Sequence, residues 1–461
     1  MHTESHGNPA ALSGQIEDVT ETERVLASCQ IARAKLEIGN YDDGCTVLAP
    51  WWTVGDWPNQ VGLTKVAAAE LLLISGSLTD AVARSKRIIG AQRLAEVLIS
   101  GAIALFDHAA EASKGLEARI ELGCCYYHQG QFELAHSILQ SCVLGLTDRD
   151  IELRAVALIR LAIVERHSGR LDKALKLLEQ AASIESQTTC STRGRFNTEM
   201  ANTLKALGVA ERHQRYFTSA LGHYERAALL FEQIGNLRYA AAVENNRGYL
   251  LLSLSRFQEA ETHLERARSL FSRLRDSVGC AQVDETLAQL YLTSEKYNAA
   301  GEAIRLAVDT LEGSGEDALL AEALTTQGLV MCRLGRRQEA KPILERARRV
   351  AERCGDREGA GRALLILIEE MCEQLPDDER REIGAQANQL LANSQQQATL
   401  DRLRKSLDMI AAAHSRHEAE REQEIHAQKM AALGELSFGV AHNVNNTLTG
   451  ILGRAQLILR N

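Results

Sequence analysis

Residues 244–267 read ENNRGYLLLSLSRFQEAETHLERA. A small residue, Gly248, sits in the middle of an apolar helical pattern. Ala260 follows twelve positions later and Ala267 seven after that, and Phe257 stands three before the first alanine. The same template recurs in residues 204–227 (LKALGVAERHQRYFTSALGHYERA), 284–307 (DETLAQLYLTSEKYNAAGEAIRLA) and 325–347 (TTQGLVMCRLGRRQEAKPILERA). The small residue is Gly208, Gly248, Ala288 and Gly328, at steps of 40. The alanine pairs are Ala220 and Ala227, Ala260 and Ala267, Ala300 and Ala307, Ala340 and Ala347; Phe217, Phe257, Tyr297 and Arg337 precede them.

Two upstream segments carry the template at Gly123, Ala135, Cys142 and at Ala162, Ala174, Ala181. Weaker versions stand near Ala32 and Gly44 and near Ile368 and Ala387, while the segment of Trp51, Trp52 and Trp57 fits nowhere. Turn residues separate the two helices of a unit, as in Ser168-Gly169-Arg170 and Leu334-Gly335-Arg336. Antiparallel helices approach closely only where side chains are small, so Gly or Ala in the first helix is expected to face Ala in the second. One hairpin cannot bury its apolar stripe alone, and neighbours must stack. The step from 162 to 208 is 46, which predicts an extra loop around SQTTCSTRGRF, residues 186–196.

Composition agrees with helix throughout. Of 461 residues, 45% are hydrophobic, 25% charged and only 4% aromatic, with 5 prolines. Few aromatic residues argue against a β-rich fold. The net charge of -9 argues against a general nucleic-acid binder. The basic run Arg346, Arg348, Arg349, Arg353 is interleaved with Glu345 and Glu352, as on a solvated face. The ten cysteines form no CxxC pair or metal-ligand spacing; those in apolar patterns, such as Cys124, Cys125, Cys142 and Cys332, read as small buried hydrophobes in a reducing compartment. The N-terminus lacks the pattern of a signal peptide, and no uninterrupted apolar run reaches the ~20 residues that span a bilayer. A cytoplasmic protein without membrane or nucleic-acid partners is expected.

The repeat resembles the tetratricopeptide repeat family, whose usual period is about 34 residues; the longer period here is similar to the variant with extended linkers. The resemblance covers residues 21–394 and implies an all-α, tetratricopeptide-type solenoid, a superhelix of helical hairpins. It also implies a concave surface, lined mainly by the first helix of each hairpin, that binds an unknown protein or peptide. Candidates for that surface are Asn202, Lys205, Glu244, Asn245, Asn246, Arg247, Asp284 and Gln289. Asn246 resembles the asparagine that contacts peptide backbone in such repeats.

Residues 1–20 are expected to be disordered and residues 395–430 to form a linker helix. Gln395, Gln396 and Gln397 open it, and Leu400, Leu403, Leu407 and Ile410 form a short coiled-coil seam that fades at His414, His417 and Arg421. His414 and His417 are either a pH-sensitive pair or two solvated histidines. Residues 431–461 differ. Leu433, Leu436, Val440, Val444, Leu448, Ile451, Ala455 and Ile458 form one apolar stripe, and His442 and Asn446 share a face away from it.

The block LGELSFGVAHNVNNTLTGILGRAQLIL resembles the dimerisation and phosphoacceptor helix of sensor histidine kinases through Gly434, Glu435, Ala441, His442, Asn445 and Asn446. By that resemblance His442 is phosphorylated, Asn446 orients water for dephosphorylation of a response regulator, and the chain is a homodimer. Asn443 stands where the family carries an acidic residue, and Thr447 where proline is frequent; an amide accepts a hydrogen bond but takes no proton. The second bundle helix and the ATP-binding domain are missing from the sequence, so the chain reads as the N-terminal part of a longer kinase. It holds no cofactor itself. ATP and Mg enter only if a catalytic domain follows or acts in trans. Two functions remain open: the input and phosphoacceptor part of a two-component sensor histidine kinase, or a non-catalytic scaffold with a dimerising C-terminal helix. A DNA-binding activator lacks a basic recognition helix.

Overall fold

The computed structural model describes residues 20–86, 91–147, 149–392, 394 and 397–458. The expected disordered segment lies, up to residue 19, outside the described residues, as do Gln395 and Gln396. Every regular element among the described residues is helical. The chain forms two compact units, residues up to 326 and residues from 327 onward.

The first unit is a succession of helical hairpins: α1 (Glu21–Glu37) with α2 (Tyr41–Leu48), α3 (Lys65–Lys86) with α4 (Ala91–His108), α5 (Ala112–His128) with α6 (Phe132–Gly145), α7 (Ile151–His167) with α8 (Leu171–Ala182), α9 (Cys190–Glu211) with α10 (Gln214–Gln233), α11 (Leu237–Ser253) with α12 (Phe257–Arg273), and α13 (Ser277–Thr293) with α14 (Tyr297–Leu311). The boundary between the units falls within α15 (Asp317–Arg333). Hairpin α3–α4 went unread in the sequence because its apolar pattern is nearly continuous. The stretch Lys65–Ala83 has a mean hydropathy of 1.5, enough to cross a membrane by composition, but 94% of it is buried in this unit. The tryptophan segment is the turn-rich connection into α3: Trp52 is buried and donates from Nε1 to the Asp56 carbonyl at 3.2 Å.

The 40-residue period has a backbone cause. From α10 onward a residue with positive φ recurs every twenty positions: Gly235 (70°), Ser255 (59°), Arg275 (53°), Glu295 (60°), Gly315 (82°), Gly335 (78°) and Gly355 (78°). Each is a left-handed residue in a turn that follows a helix, so two such turns make one repeat.

The small first-helix residue meets something larger than the alanine predicted to face it. A Cβ built on Gly248 would stand 2.6 Å from the Leu264 side chain and 3.3 Å from the Ala260 carbonyl, and one on Gly328 would stand 2.4 Å from Leu344. At Gly248 the close approach is thus to the alanine's backbone; at Gly123, Gly248 and Gly328 a leucine sixteen positions on fills the space, and at Gly208 Phe217 does. Leu139, Leu178, Tyr224, Leu264, Ile304 and Leu344 hold that position, all 0% exposed. The loop predicted around residues 186–196 is found only over its first four residues: residues 183–189 connect α8 to α9, and residues 190–196 are helical. The extra residues are taken up by a short 3-10 turn at Glu185–Gln187 and by a longer first helix, α9, of 22 residues against 17 in α11.

The second unit contains α16 (Arg337–Arg353), α17 (Arg357–Met371), α18 (Asp377–Leu391) and α19 (Gln397–Ile458). The expected coiled-coil seam is corrected here. Leu403, Leu407 and Ile410 pack with Ile383, Ala387 and Leu391 in the core of this unit, so the start of α19 completes the helical stack instead of seeking a partner chain. A Cβ on Gly384 would stand 2.7 Å from Ile410. His414 and His417 both face Asp377 of α18, at 3.7 and 3.6 Å, beside the fully buried Arg380. From residue 415 to 456 every residue of α19 is exposed.

Candidate functional site

The first helices of six successive hairpins, α1, α3, α5, α7, α9 and α11, line one cavity of about 650 Å³ in the first unit. That volume lies within the ~300–1,000 Å³ typical of ligand pockets. Its circuit is closed by a contact distant in sequence. Asn236, at the start of α11, donates from Nδ2 to the Glu37 carbonyl at the end of α1, 3.1 Å. Arg238 lies against Gly39, where a Cβ would stand 2.7 Å from its Cδ.

The walls mix aliphatic side chains (Leu73, Ile120, Leu153, Val156) with charge. Several charges neutralise one another. Arg33 pairs with Glu117 and, at 2.9 Å, with Glu70. His128 pairs with Asp80 at 2.9 Å. Glu152 accepts from the Thr189 N–H and hydroxyl and from the Thr192 hydroxyl, at 2.9, 2.8 and 2.6 Å, holding the start of α9. Arg195 of α9 lies over the Tyr239 ring of α11, 5.3 Å from its centroid. Arg160 of α7 is half-buried, with Cys124, Glu121, Tyr239 and Asp80 within electrostatic reach.

None of the eight residues proposed from sequence lines this cavity. Glu244 and Asp284 are buried and committed: His263 lies 2.6 Å from Glu244, and Arg268 binds Asp284 through two nitrogens. Asn202 accepts from the Tyr224 hydroxyl at 2.6 Å and donates to Glu199 at 3.3 Å. Lys205 sits over the Tyr249 ring at 5.4 Å, its pKa pushed down by burial and then by Arg166. Arg247 is 3.9 Å from Glu225, Gln289 donates to Glu285 at 2.6 Å, and the Asn245 Oδ1 is buried without a partner. Asn246 is half-exposed. The register behind Asn246 was nevertheless informative. It stands two positions before the small residue Gly248, and the residues two before Gly123 and Ala162 are Glu121 and Arg160, which do line the cavity.

On α19, His442 and Asn446 are exposed, with Asn446 Nδ2 3.1 Å from His442 Nδ1 and the Phe438 ring stacked 6.5 Å away. Asn443 is exposed as well. Burial dominates the cysteines: it pushes the Cys29 thiol up to about 12 and that of Cys332 to about 11.

The comparisons with known proteins agree with this architecture. The tetratricopeptide repeat family model matches residues 199–272 and 239–313. The chain carries tetratricopeptide repeats, in an all-helical fold of that type. It is 26% identical over 267 residues to a BBSome complex member BBS4 homolog of Drosophila melanogaster, a match covering 57% of this chain and 46% of that relative. The chain thus spans less than half the length of the curated relative it matches. Among solved structures, a Rap protein complexed with competence and sporulation factor aligns with a TM-score of 0.53 at 15% identity, covering 85% of this chain and 99% of that one. A signal transduction ATPase with numerous domains and a tetratricopeptide repeat sensor, from Pyrococcus horikoshii, aligns with a TM-score of 0.51 at 15% identity, covering 80% and 54%. These likenesses concern the fold, and no match to a histidine kinase or phosphoacceptor domain supports the second resemblance.

Proposed function

We propose that this chain is a cytoplasmic scaffold: its first-helix faces hold a segment of a protein or peptide partner, and the exposed part of α19 joins two copies. The observation that carries the first half is one cavity receiving side chains from six consecutive first helices. A repeat stack offers its partner this kind of surface because each hairpin adds one rigid helix to a common wall. The relative's printed description as a member of a complex agrees with an adaptor. The second half rests on the apolar stripe of α19, from Leu433 to Ile451, which is 51–68% exposed. The test is photo-crosslinking in the producing cell, with a photoreactive residue placed at Leu153, half-buried in the cavity wall, or at Leu134, exposed on α6. Polypeptide adducts are expected from Leu153 and not from Leu134. Equal yields from both positions would reject the reading.

A second reading is favoured by the exposed His442 beside Asn446. Here His442 accepts phosphate from a kinase domain that brings ATP and Mg, and passes it to a response regulator. A neutral imidazole nitrogen is nucleophilic near pH 7. Asn443 would leave proton removal to another group. Acid-labile phosphate that vanishes in His442→Ala supports this reading; label retained in the variant, or none in the wild type, removes it.

A further inference from the structure

We propose that the join between the first hairpin and α11 is a side gate of the cavity, which parts to admit an internal stretch of a partner chain and closes behind it. This rests on the protein-binding reading and adds how the partner enters.

The walls of the cavity are held unequally. The first hairpin shares a buried apolar core with α3, where Val25, Ala32, Leu48, Leu71 and Leu78 are all 0% exposed. Arg33 further ties α1 to Glu70 of α3 and to Glu117 of α5. The later hairpins share such cores in turn. The join to α11 has another character. α1 and α11 do not pack along each other; they meet where one ends and the other begins. The Asn236–Glu37 hydrogen bond holds them together, with Arg238, paired to Asp276, lying against Gly39. Ile38 and Ile234, next to these residues in sequence and lining the cavity, remain 40% and 38% exposed. An apolar seal would have buried them.

This join opens more easily than the other walls. Parting an apolar interface costs free energy in proportion to the area exposed, whereas a broken hydrogen bond is largely replaced by bonds to water. Repeats stack through nearest-neighbour interfaces, so a small rotation at each interface from α1 to α11 adds up at the join without unfolding any hairpin. The shape of the cavity shows what such a gate does. With the join closed, six helices surround about 650 Å³, and a chain enters only by a free end. A segment with folded domains on both sides has no free end to offer and must enter from the side. The join is where the wall parts with the least apolar surface exposed.

The experiment uses the full chain with Leu153→Cys, a half-buried position of the cavity wall. The probe is a glycine-serine peptide with a central maleimide, either with free ends or blocked by a folded domain fused at each end. Mass spectrometry maps the labelled thiols, and Cys332, 3% exposed in the second unit, reports unfolding. Both probes should label the introduced thiol, the blocked one more slowly. Asn236→Asp removes the donor of the join, and Gly39→Ala would place a Cβ 2.7 Å from Arg238 Cδ. Each should speed the blocked probe about fivefold and the free probe less than twofold, with labelling of Cys332 unchanged. A blocked probe that labels the Leu153→Cys chain no faster than it labels Cys332 overturns the proposal, because the join then does not open. So does a blocked probe that matches the free one and ignores both substitutions, because the join is then no barrier. A variant whose Cys332 labels faster is unfolded, and the two probes on the Leu153→Cys chain then decide alone. If the gate fails while a photoreactive residue at Leu153 still crosslinks to a partner, the scaffold reading stands; if labelling behaves as expected but no partner crosslinks, the scaffold reading falls instead.

Discussion

Asn236 and Glu37, 199 positions apart in sequence, are joined by a 3.1 Å hydrogen bond from the asparagine side chain to the glutamate carbonyl. The same asparagine, 1% exposed, accepts from the Tyr239 N–H at 3.2 Å and so caps α11. One side chain thus starts a helix and ties down the N-terminal hairpin. Asn236→Ala removes both roles and should cost about 1–3 kcal/mol. Asn236→Asp keeps the capping oxygen but has no donor for Glu37. Hydrogen exchange separates the two: Asp should speed exchange in α1 and α2 alone, whereas Ala should also loosen the first turn of α11. Protection of α1 unchanged in both variants would show that the contact contributes nothing.

The left-handed series has a thermodynamic consequence. Gly335 and Glu295 occupy the same turn one repeat apart, at φ of 78° and 60°. A side chain pays a steric penalty there that glycine does not, partly offset by glycine's freer unfolded chain. Glu295→Gly should therefore stabilise the array by roughly 0.5–1 kcal/mol, read as a higher urea midpoint with unchanged slope. A lower midpoint would mean that the Glu295 side chain makes a compensating contact.

At Gly248 the expectation is the reverse. Its Cβ would press on Leu264, fully buried in a packed core, and on the backbone of α12. Gly248→Ala should destabilise by about 1–3 kcal/mol through overpacking, despite alanine's better helix propensity. Adding Leu264→Val to make room should recover part of the loss. A destabilisation that Leu264→Val merely adds to would disprove the steric account.

What the sequence revealed and concealed follows from these residues. Period, helix pairing and the tight first-helix position were readable because they rest on local spacing, as at Gly248 and Ala260. The large residue sixteen positions on went unnoticed because Leu, Tyr and Ile alternate there. The cavity was invisible in sequence for another reason. It is assembled where the chain curves round to bring residue 37 to residue 236, and of the four most regular repeats only those of Gly208 and Gly248 reach it, through the starts of α9 and α11. The seam Leu403–Leu407–Ile410 was misassigned because a helix that packs on its own chain shows the same spacing as one that packs on a partner.

Farther along α19, where no described helix covers it, the stripe formed by Leu436, Val440, Val444, Leu448 and Ile451 is 51–68% exposed. Apolar faces of this extent mark interaction sites. Val440→Glu with Leu448→Glu should convert a sedimenting dimer to monomer without changing the helical signal of residues 20–416. A wild type that is monomeric at tens of micromolar would remove the dimerising role.

The last prediction concerns pH. His223 of α10 has Nδ1 2.8 Å from Asn197 Oδ1, with Arg226 Nη2 3.0 Å from the same nitrogen. Burial, and then the Arg226 cation, push its pKa down from 6.5 to about 4. The sign follows from which state binds the proton. Between these values the unfolded chain is protonated and the folded chain is not, so the histidine's contribution is complete above about pH 6.5 and declines as pH falls toward 4. Below that both states are protonated and the loss levels off. The Cε1–H resonance of His223 should titrate near 4, and the urea midpoint should fall between pH 6.5 and 4 by more than in His223→Gln, which keeps a neutral polar group at the site. Equal pH slopes in the two proteins, or a resonance that titrates near 6.5, would show that the ring is hydrated and that Arg226 does not act on it.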